Sequence, residues 1–98
     1  GESLGDVVSV IATLEEVAKM LSMRGDQQGA ATLLGAASTM RGEMDVPLSP
    51  ASRADHEQLL GAVRIGLGND PFAAAWEAGT KLNLTSATAL ARERLDSG

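Results

Sequence analysis

The sequence predicts an all-α fold of about five antiparallel helices, packed as a single domain over residues 1–98. Three observations predict it. Apolar residues recur at three- and four-residue spacing, the period of a helix face. Only Phe72 and Trp76 are aromatic, whereas strands are enriched in aromatic and β-branched residues. Glycine, proline and small polar residues cluster at the points where helices are expected to end and restart.

The first helix is predicted over 4–23. Ser3 suits its N-cap, and Asp6 lies in its first turn, near the positive end of the helix dipole. Glu15 and Lys19 are expected to form an exposed pair at i,i+4 spacing. The apolar stripe of this helix comprises Val7, Val10, Ile11, Leu14, Val17, Ala18 and Leu21.

The second helix is predicted over 27–41, directly after a very short turn. Gly25 suits the left-handed residue that follows a helix, and Asp26 suits the N-cap of the next helix. Gly42 is the expected stop. Small side chains should let a neighbouring helix approach closely, which would place this helix at the centre of the packing. The residues expected to form that packing are Ala30, Leu34, Gly35, Ala37, Phe72 and Trp76.

The third helix is predicted over 50–66, after a loop that contains Pro47. A proline disfavours helix at the preceding residue, and it is tolerated in the first turn of the next helix. Ser49 is therefore the expected N-cap of the third helix, with Pro50 as its first residue.

The fourth and fifth helices are predicted over 71–81 and 86–95. Asp70 is expected to cap the fourth helix before Pro71, as Ser49 does before Pro50. Asn83 is expected to close the fourth helix. Thr85 is then the expected cap of the fifth helix, with Leu84 as a hydrophobic staple. These three residues are consecutive, Asn83-Leu84-Thr85.

Composition and charge exclude several function classes. The net charge is −5, so a phosphate backbone would be repelled and direct nucleic-acid binding is not expected. The chain has no cysteine, which excludes disulfides and thiol chemistry and fits a cytoplasmic protein. No apolar run is long enough to span a membrane. Because the sequence begins at Gly1, we expect it to be a fragment of a larger protein.

Catalytic, cofactor and metal residues are not predicted anywhere in the chain. His56 has no second ligand at helical spacing, so a solvated histidine is favoured over an acid/base or metal role. Glu15 and Glu16 are adjacent and point about 100° apart on a helix, so a solvated face is favoured over a carboxylate pair. Trp76 suits core packing better than a role as an exposed binding anchor. The sequence therefore predicts no enzyme.

The first helix is also the expected interaction surface. If the chain is cut from a stack of helices, the apolar side of this helix loses its neighbour. Val7, Val8 and Ile11 are then available for a homodimer, unless the helix folds back on the core. The methionines favour core filling over an adaptable surface; they are Met20, Met23, Met40 and Met44.

Helix pairs joined by a Gly-Asp turn suggest tetratricopeptide-like repeats. With Gly25 and Asp26 aligned to the turn between the two helices, the second-helix packing positions fall on Ala30, Leu34 and Ala37. The closing proline of the repeat is not matched, because Gly42 occupies its place. A second copy over the later helices is degenerate.

The order of several short runs adds a family resemblance. These are Ala30-Ala31-Thr32-Leu33-Leu34-Gly35-Ala36-Ala37, Met40-Arg41, Pro47-Leu48-Ser49-Pro50-Ala51, Phe72-Ala73-Ala74-Ala75-Trp76-Glu77-Ala78-Gly79 and Leu84-Thr85-Ser86-Ala87-Thr88-Ala89-Leu90-Ala91. Over about residues 10–95, the chain resembles the C-terminal region of bacterial LuxR-type and related signal-transducing ATPase regulators.

The resemblance implies tetratricopeptide-like hairpins at the end of an α-solenoid in a transcriptional regulator. It implies neither the ATPase, whose phosphate-binding loop is missing here, nor the DNA reader. The expected function is a non-catalytic regulatory module that contacts a protein partner or other modules of the parent chain. The alternative is a free-standing helical bundle that mediates homo-oligomer assembly.

Overall fold

The computed structural model describes residues 4–97, and within that range the fold is all-helical, without strands. The all-α prediction is therefore confirmed. The five helices are α1 (Leu4–Met23), α2 (Gln27–Met44), α3 (Pro50–Leu67), α4 (Asn69–Thr80) and α5 (Leu84–Asp96). The cap predicted at Ser3 lies outside the described residues.

The turn between α1 and α2 has the predicted chemistry. Gly25 adopts a positive φ of 92°, which glycine accommodates without the steric cost that a Cβ brings. Asp26 caps α2, and its carboxylate accepts a hydrogen bond from the Gly29 N–H at 2.9 Å. Both predictions for this turn are confirmed.

The end of α2 differs from the prediction, because the helix continues past Gly42 to Met44. A glycine inside a helix costs only about 1 kcal/mol, which neighbouring helical residues offset. Asp45 ends the helix instead, with a left-handed backbone (φ 56°, ψ 47°). The following Val46 N–H donates to the Arg41 carbonyl at 2.9 Å and closes the turn.

The junction of α3 and α4 is shorter than predicted. Ser49 caps α3 as expected, accepting a hydrogen bond from the Ser52 N–H. Gly68 alone, with φ 92°, separates α3 from α4, so α4 begins at Asn69. The prediction that Asp70 caps α4 was wrong. Asp70 lies inside the first turn, where a negative charge still favours the helix dipole.

The cap of α5 also differs. Asn83 accepts a hydrogen bond from the Ser86 N–H at 2.7 Å, and the Ser86 hydroxyl accepts one from the Asn83 N–H at 2.9 Å. This reciprocal pair is a capping box. Asn83 therefore starts α5 instead of closing α4, and Thr85 is an ordinary residue within the helix.

The core forms around α2, which contacts each of the other four helices. The contact of α2 with α4 is the closest. A Cβ added at Gly35 would overlap the Trp76 carbonyl oxygen, and one added at Gly79 would overlap the Thr32 carbonyl oxygen. Glycine on each helix thus lets the two backbones meet without an intervening side chain.

The first and last helices also contact each other, so the five helices close on themselves. Two arginines join α5 to the α1–α2 turn. Arg24 donates to the Leu95 carbonyl at 3.2 Å, and Arg94 pairs with the Asp26 carboxylate at 3.2 Å. The radius of gyration is 12.5 Å, close to the value of about 13 Å expected for a compact domain of this length.

Candidate functional site

An open groove between α1 and α3 is the candidate functional site. Its volume is about 470 Å³. Ala12, Glu16 and Lys19 on α1 line one wall, and Asp55 and Ala62 on α3 line the other. The alternation of carboxylate, ammonium and methyl groups gives the groove a mixed-charge rim that suits contact with a protein surface.

Glu15 and Arg41 form the base of this groove. Arg41 Nε donates to Glu15 Oε2 at 2.8 Å, and Arg41 Nη2 donates to Glu15 Oε1 at 2.8 Å. The two side chains keep only 15% and 14% of their surface exposed, so the pair is largely withdrawn from water. The predicted exposed pair of Glu15 with Lys19 was wrong, because Arg41 offers Glu15 a planar, two-pronged partner.

The same arginine fixes the loop that follows α2. Its remaining prong, Nη1, donates to the Val46 carbonyl at 3.1 Å. The hydrogen bond with Glu15, together with the negative charge of that residue, raises the pKa of Arg41 although burial opposes the shift. Arg41 is therefore a permanent cation that ties α1, α2 and the loop together.

A second, smaller cleft continues the groove toward this loop. Its volume is about 250 Å³, and Asp45, Val46 and Pro47 form its rim. Glu15, Arg41, Leu48 and His56 line both clefts. The two clefts therefore form one surface that runs from the end of α1 to the start of α3.

The groove brings His56 of α3 into one lining with Glu15 and Glu16 of α1. Both carboxylate oxygens of Glu15 already accept hydrogen bonds from Arg41. His56 is half-buried at the cleft wall, and it makes no hydrogen bond with any residue of the range 4–97. The same range contains no group of three His, Asp or Glu side chains arranged to hold a metal ion.

The three residues predicted to form the interaction face of the first helix differ in burial. Ile11 has no exposed surface and belongs to the core, because α1 packs on both α2 and α5. Ile11 is thus not available to a partner in this conformation. Val7 is half-buried against the core, and Val8 is half-buried beside it. This helix therefore packs on the core through Ile11, while Val7 and Val8 stay partly exposed.

The residues predicted for packing lie in or against the core. Ala30, Leu34 and Ala37 have no exposed surface, and Gly35 is buried against α4. Phe72 retains 7% of its surface, whereas Trp76 is half-buried and packs on the edge of the core. Trp76 therefore has a packed side and an accessible side.

The four methionines also differ in burial. Met40 is buried, and Met44 packs against the core, as core filling requires. Met20 is 44% exposed and Met23 is 79% exposed, and Met23 lines the groove. Two flexible thioethers thus lie at the surface near the end of α1, where they suit adaptable contacts.

The wider setting of the site adds two findings. Among residues 4–97, none of the helices is both long enough and apolar enough to cross a membrane. The chain matches no protein-family model, and neither the curated proteins nor the solved structures include a significant match to it.

Proposed function

We propose that this chain is a non-catalytic helical interaction module, the end of a tetratricopeptide-like array in a cytoplasmic bacterial transcriptional regulator of the LuxR type. The groove between α1 and α3 is the observation that carries the proposal. Accessible side chains form its walls, while an ion pair fixes its base. Such a surface is accessible to a partner, and its base does not have to reorganise when the partner binds.

The packing supports the repeat-like part of the proposal. α1 and α2 form a hairpin across the Gly25-Asp26 turn, and α2 then contacts α4, the second helix of the following pair. Contacts of α2 with both α3 and α4 are compatible with helix pairs that stack on one another.

Charge supports a protein partner over a nucleic acid. Glu16 and Asp55 line the groove together with Lys19, and the whole chain carries a charge of −5. Phosphates would be repelled, whereas a helix or loop with side chains of both signs would find complementary groups. Binding in the groove would favour one state of the regulator over another, and that shift in population would be the regulatory signal.

The proposal is tested by placing large side chains on the exposed walls of the groove in the intact regulator. Ala12→Arg and Ala62→Arg each introduce a long cation at an accessible position, so folding is expected to be retained. Promoter activation in cells should change with either variant. Ala74→Arg, at an exposed position of α4 outside both clefts, is the matched control. Unchanged activation by both groove variants would refute the proposal.

Closure of the helices favours a second candidate function. In an open array each repeat contacts only its neighbours, whereas α1 here also contacts α5. A free-standing bundle that assembles as a homo-oligomer through α1 would have this closed form. Sedimentation velocity would then show a dimer that Val8→Lys dissociates and Thr13→Lys, at an exposed position of the same helix, does not. A monomer at all concentrations would exclude it.

A further inference from the structure

A separate open cleft lies between α3 and α4 and shares no residue with the α1–α3 groove or with the smaller cleft beside it. Its volume is about 520 Å³, within the range of about 300–1,000 Å³ that small-molecule sites occupy. The cleft is lined by Leu60, Arg64, Asn69, Phe72, Ala73 and Trp76. Four of these six side chains are apolar, and two are aromatic.

The two aromatic rings of the chain stack on each other in this cleft, and Trp76 is the more accessible of the two. The ring centroids of Phe72 and Trp76 are 5.8 Å apart, and the ring planes are inclined by 30°. Phe72 is held by the core, whereas Trp76 keeps an accessible side. A further ring placed on the accessible side of Trp76 would gain the stacking energy that aromatic pairs provide, with little loss of side-chain freedom in the protein.

Arg64 supplies the polar recognition. Its guanidinium carbon lies 5.0 Å from the Phe72 centroid, in a cation–π arrangement that orients the planar group. The guanidinium makes no hydrogen bond or ion pair within residues 4–97, so its N–H edges are open to an acceptor. Arg64 is also the one ionisable side chain of this lining, on a chain whose net charge is −5.

From the aromatic surface and this oriented cation, we infer that the α3–α4 cleft binds a small aromatic carboxylate. The aromatic ring of the ligand stacks on the accessible side of Trp76, and its carboxylate accepts a two-pronged hydrogen bond from Arg64. Asn69 adds an amide to the lining of the cleft. The inference rests on this cleft alone and is independent of the function proposed for the α1–α3 groove.

Trp76 makes the inference directly measurable, because it is the sole tryptophan and the chain has no tyrosine. Phenylacetate is the probe, and phenylacetamide is its neutral counterpart. Titration of the 98-residue chain with phenylacetate should change the Trp76 emission saturably, and the amide should bind about tenfold more weakly. No saturable change up to about 10 mM phenylacetate, or equal binding of acid and amide, would overturn the inference.

Two pairs of variants separate binding from folding. Arg64→Met should weaken phenylacetate binding about tenfold, whereas Arg53→Met, on the exposed surface of the same helix, should leave it unchanged. Ala73→Leu fills the cleft and should abolish binding, whereas Ala74→Leu should not. Far-UV circular dichroism establishes that each variant is folded. Equal affinity of folded Arg64→Met and wild type would refute the role of the guanidinium.

A peptide could offer the same chemistry, and one further titration distinguishes the two sources. An N-acetylated phenylalanyl-glutamate peptide amide presents a ring and a carboxylate on a peptide backbone. The small-molecule assignment expects it to bind no more tightly than phenylacetate. Binding at least about tenfold tighter would overturn that assignment and make the cleft a site for a protein segment.

Discussion

Gly79 of α4 lies directly against the carbonyl of Thr32 on α2. A Cβ at Gly79 would overlap the Thr32 oxygen and would lie 2.9 Å from the Ala36 nitrogen. The obstacle is backbone on a buried helix, which cannot rotate away as a flexible side chain would. The close approach of α2 and α4 therefore depends on the absence of a side chain at Gly79, as it does at Gly35.

Gly79→Ala should lower the free energy of unfolding by about 3 kcal/mol, because the two helices must separate to admit the methyl group. Gly61→Ala is the matched control, since a Cβ there would meet nothing within 4 Å. That control should stabilise the chain by about 0.5 kcal/mol through helix propensity. Urea denaturation measures both, and a neutral Gly79→Ala would contradict the close contact.

Glu15→Gln should destabilise the chain by about 2 kcal/mol, because it leaves the largely buried guanidinium of Arg41 without its anion. Glu77→Gln is the control. Glu77 and Lys81 are 3.8 Å apart, and each keeps more than 70% of its side chain exposed. Water screens that pair, so its loss should change the free energy of unfolding by less than about 0.5 kcal/mol.

The pH dependence of the Arg41 contribution follows from its raised pKa. A cation whose pKa is higher in the folded state stabilises that state fully below the unfolded pKa, and loses the contribution only as pH rises through the folded value. Both values lie in the strongly alkaline range. The stability difference between wild type and Arg41→Gln should therefore stay constant between about pH 6 and pH 9 in urea titrations.

Asp26→Ala should cost about 1–2 kcal/mol, because Asp26 both caps α2 and pairs with Arg94. Asp26→Asn separates the two roles. The amide oxygen still accepts a hydrogen bond from the Gly29 N–H, but the charge is removed, so the cost should fall below about 1 kcal/mol. Equal losses for the two variants would assign the whole effect to the ion pair.

Ile11 and Ile65 allow the same substitution at opposite degrees of burial. Ile11 has no exposed surface, whereas Ile65 keeps 86% of its surface exposed. Ile11→Ala should therefore cost about 3 kcal/mol, and Ile65→Ala less than about 0.5 kcal/mol. Thermal unfolding monitored by circular dichroism measures both. Similar melting temperatures for the two variants would show that α1 is not packed on the core.

Local sequence chemistry accounts for what could be predicted. The Gly25-Asp26 turn and the Ser49 cap act through backbone groups within three residues, so the sequence alone reveals them. The wrong predictions at Asp70 and Asn83 also arise from local sequence. Each residue is able to cap a helix, but the position of the neighbouring turns decides at which residue a helix starts, and therefore whether Asp70 or Asn83 acts as its cap.

The groove and the cleft depend instead on residues brought together by packing. Glu15 has a plausible partner four positions away in Lys19, but it pairs with Arg41, which is 26 residues distant. Arg64 likewise meets Phe72 only because α3 and α4 are joined by a single residue, Gly68. Spacing along the chain cannot reveal such pairs, because they follow from the angles at which helices cross.

The contact of α5 with α1 has a consequence for synthesis of the protein. Arg24 meets Leu95 across 71 positions, and Asp26 meets Arg94 across 68 positions. While the polypeptide is still emerging from the ribosome, α1 can pair with α2, but the side of α1 that contacts α5 stays uncovered until α5 has been translated, about 70 residues after the end of α1. Until α5 has been made, the apolar residues on this side of α1 are therefore open to other contacts, including those of a chaperone.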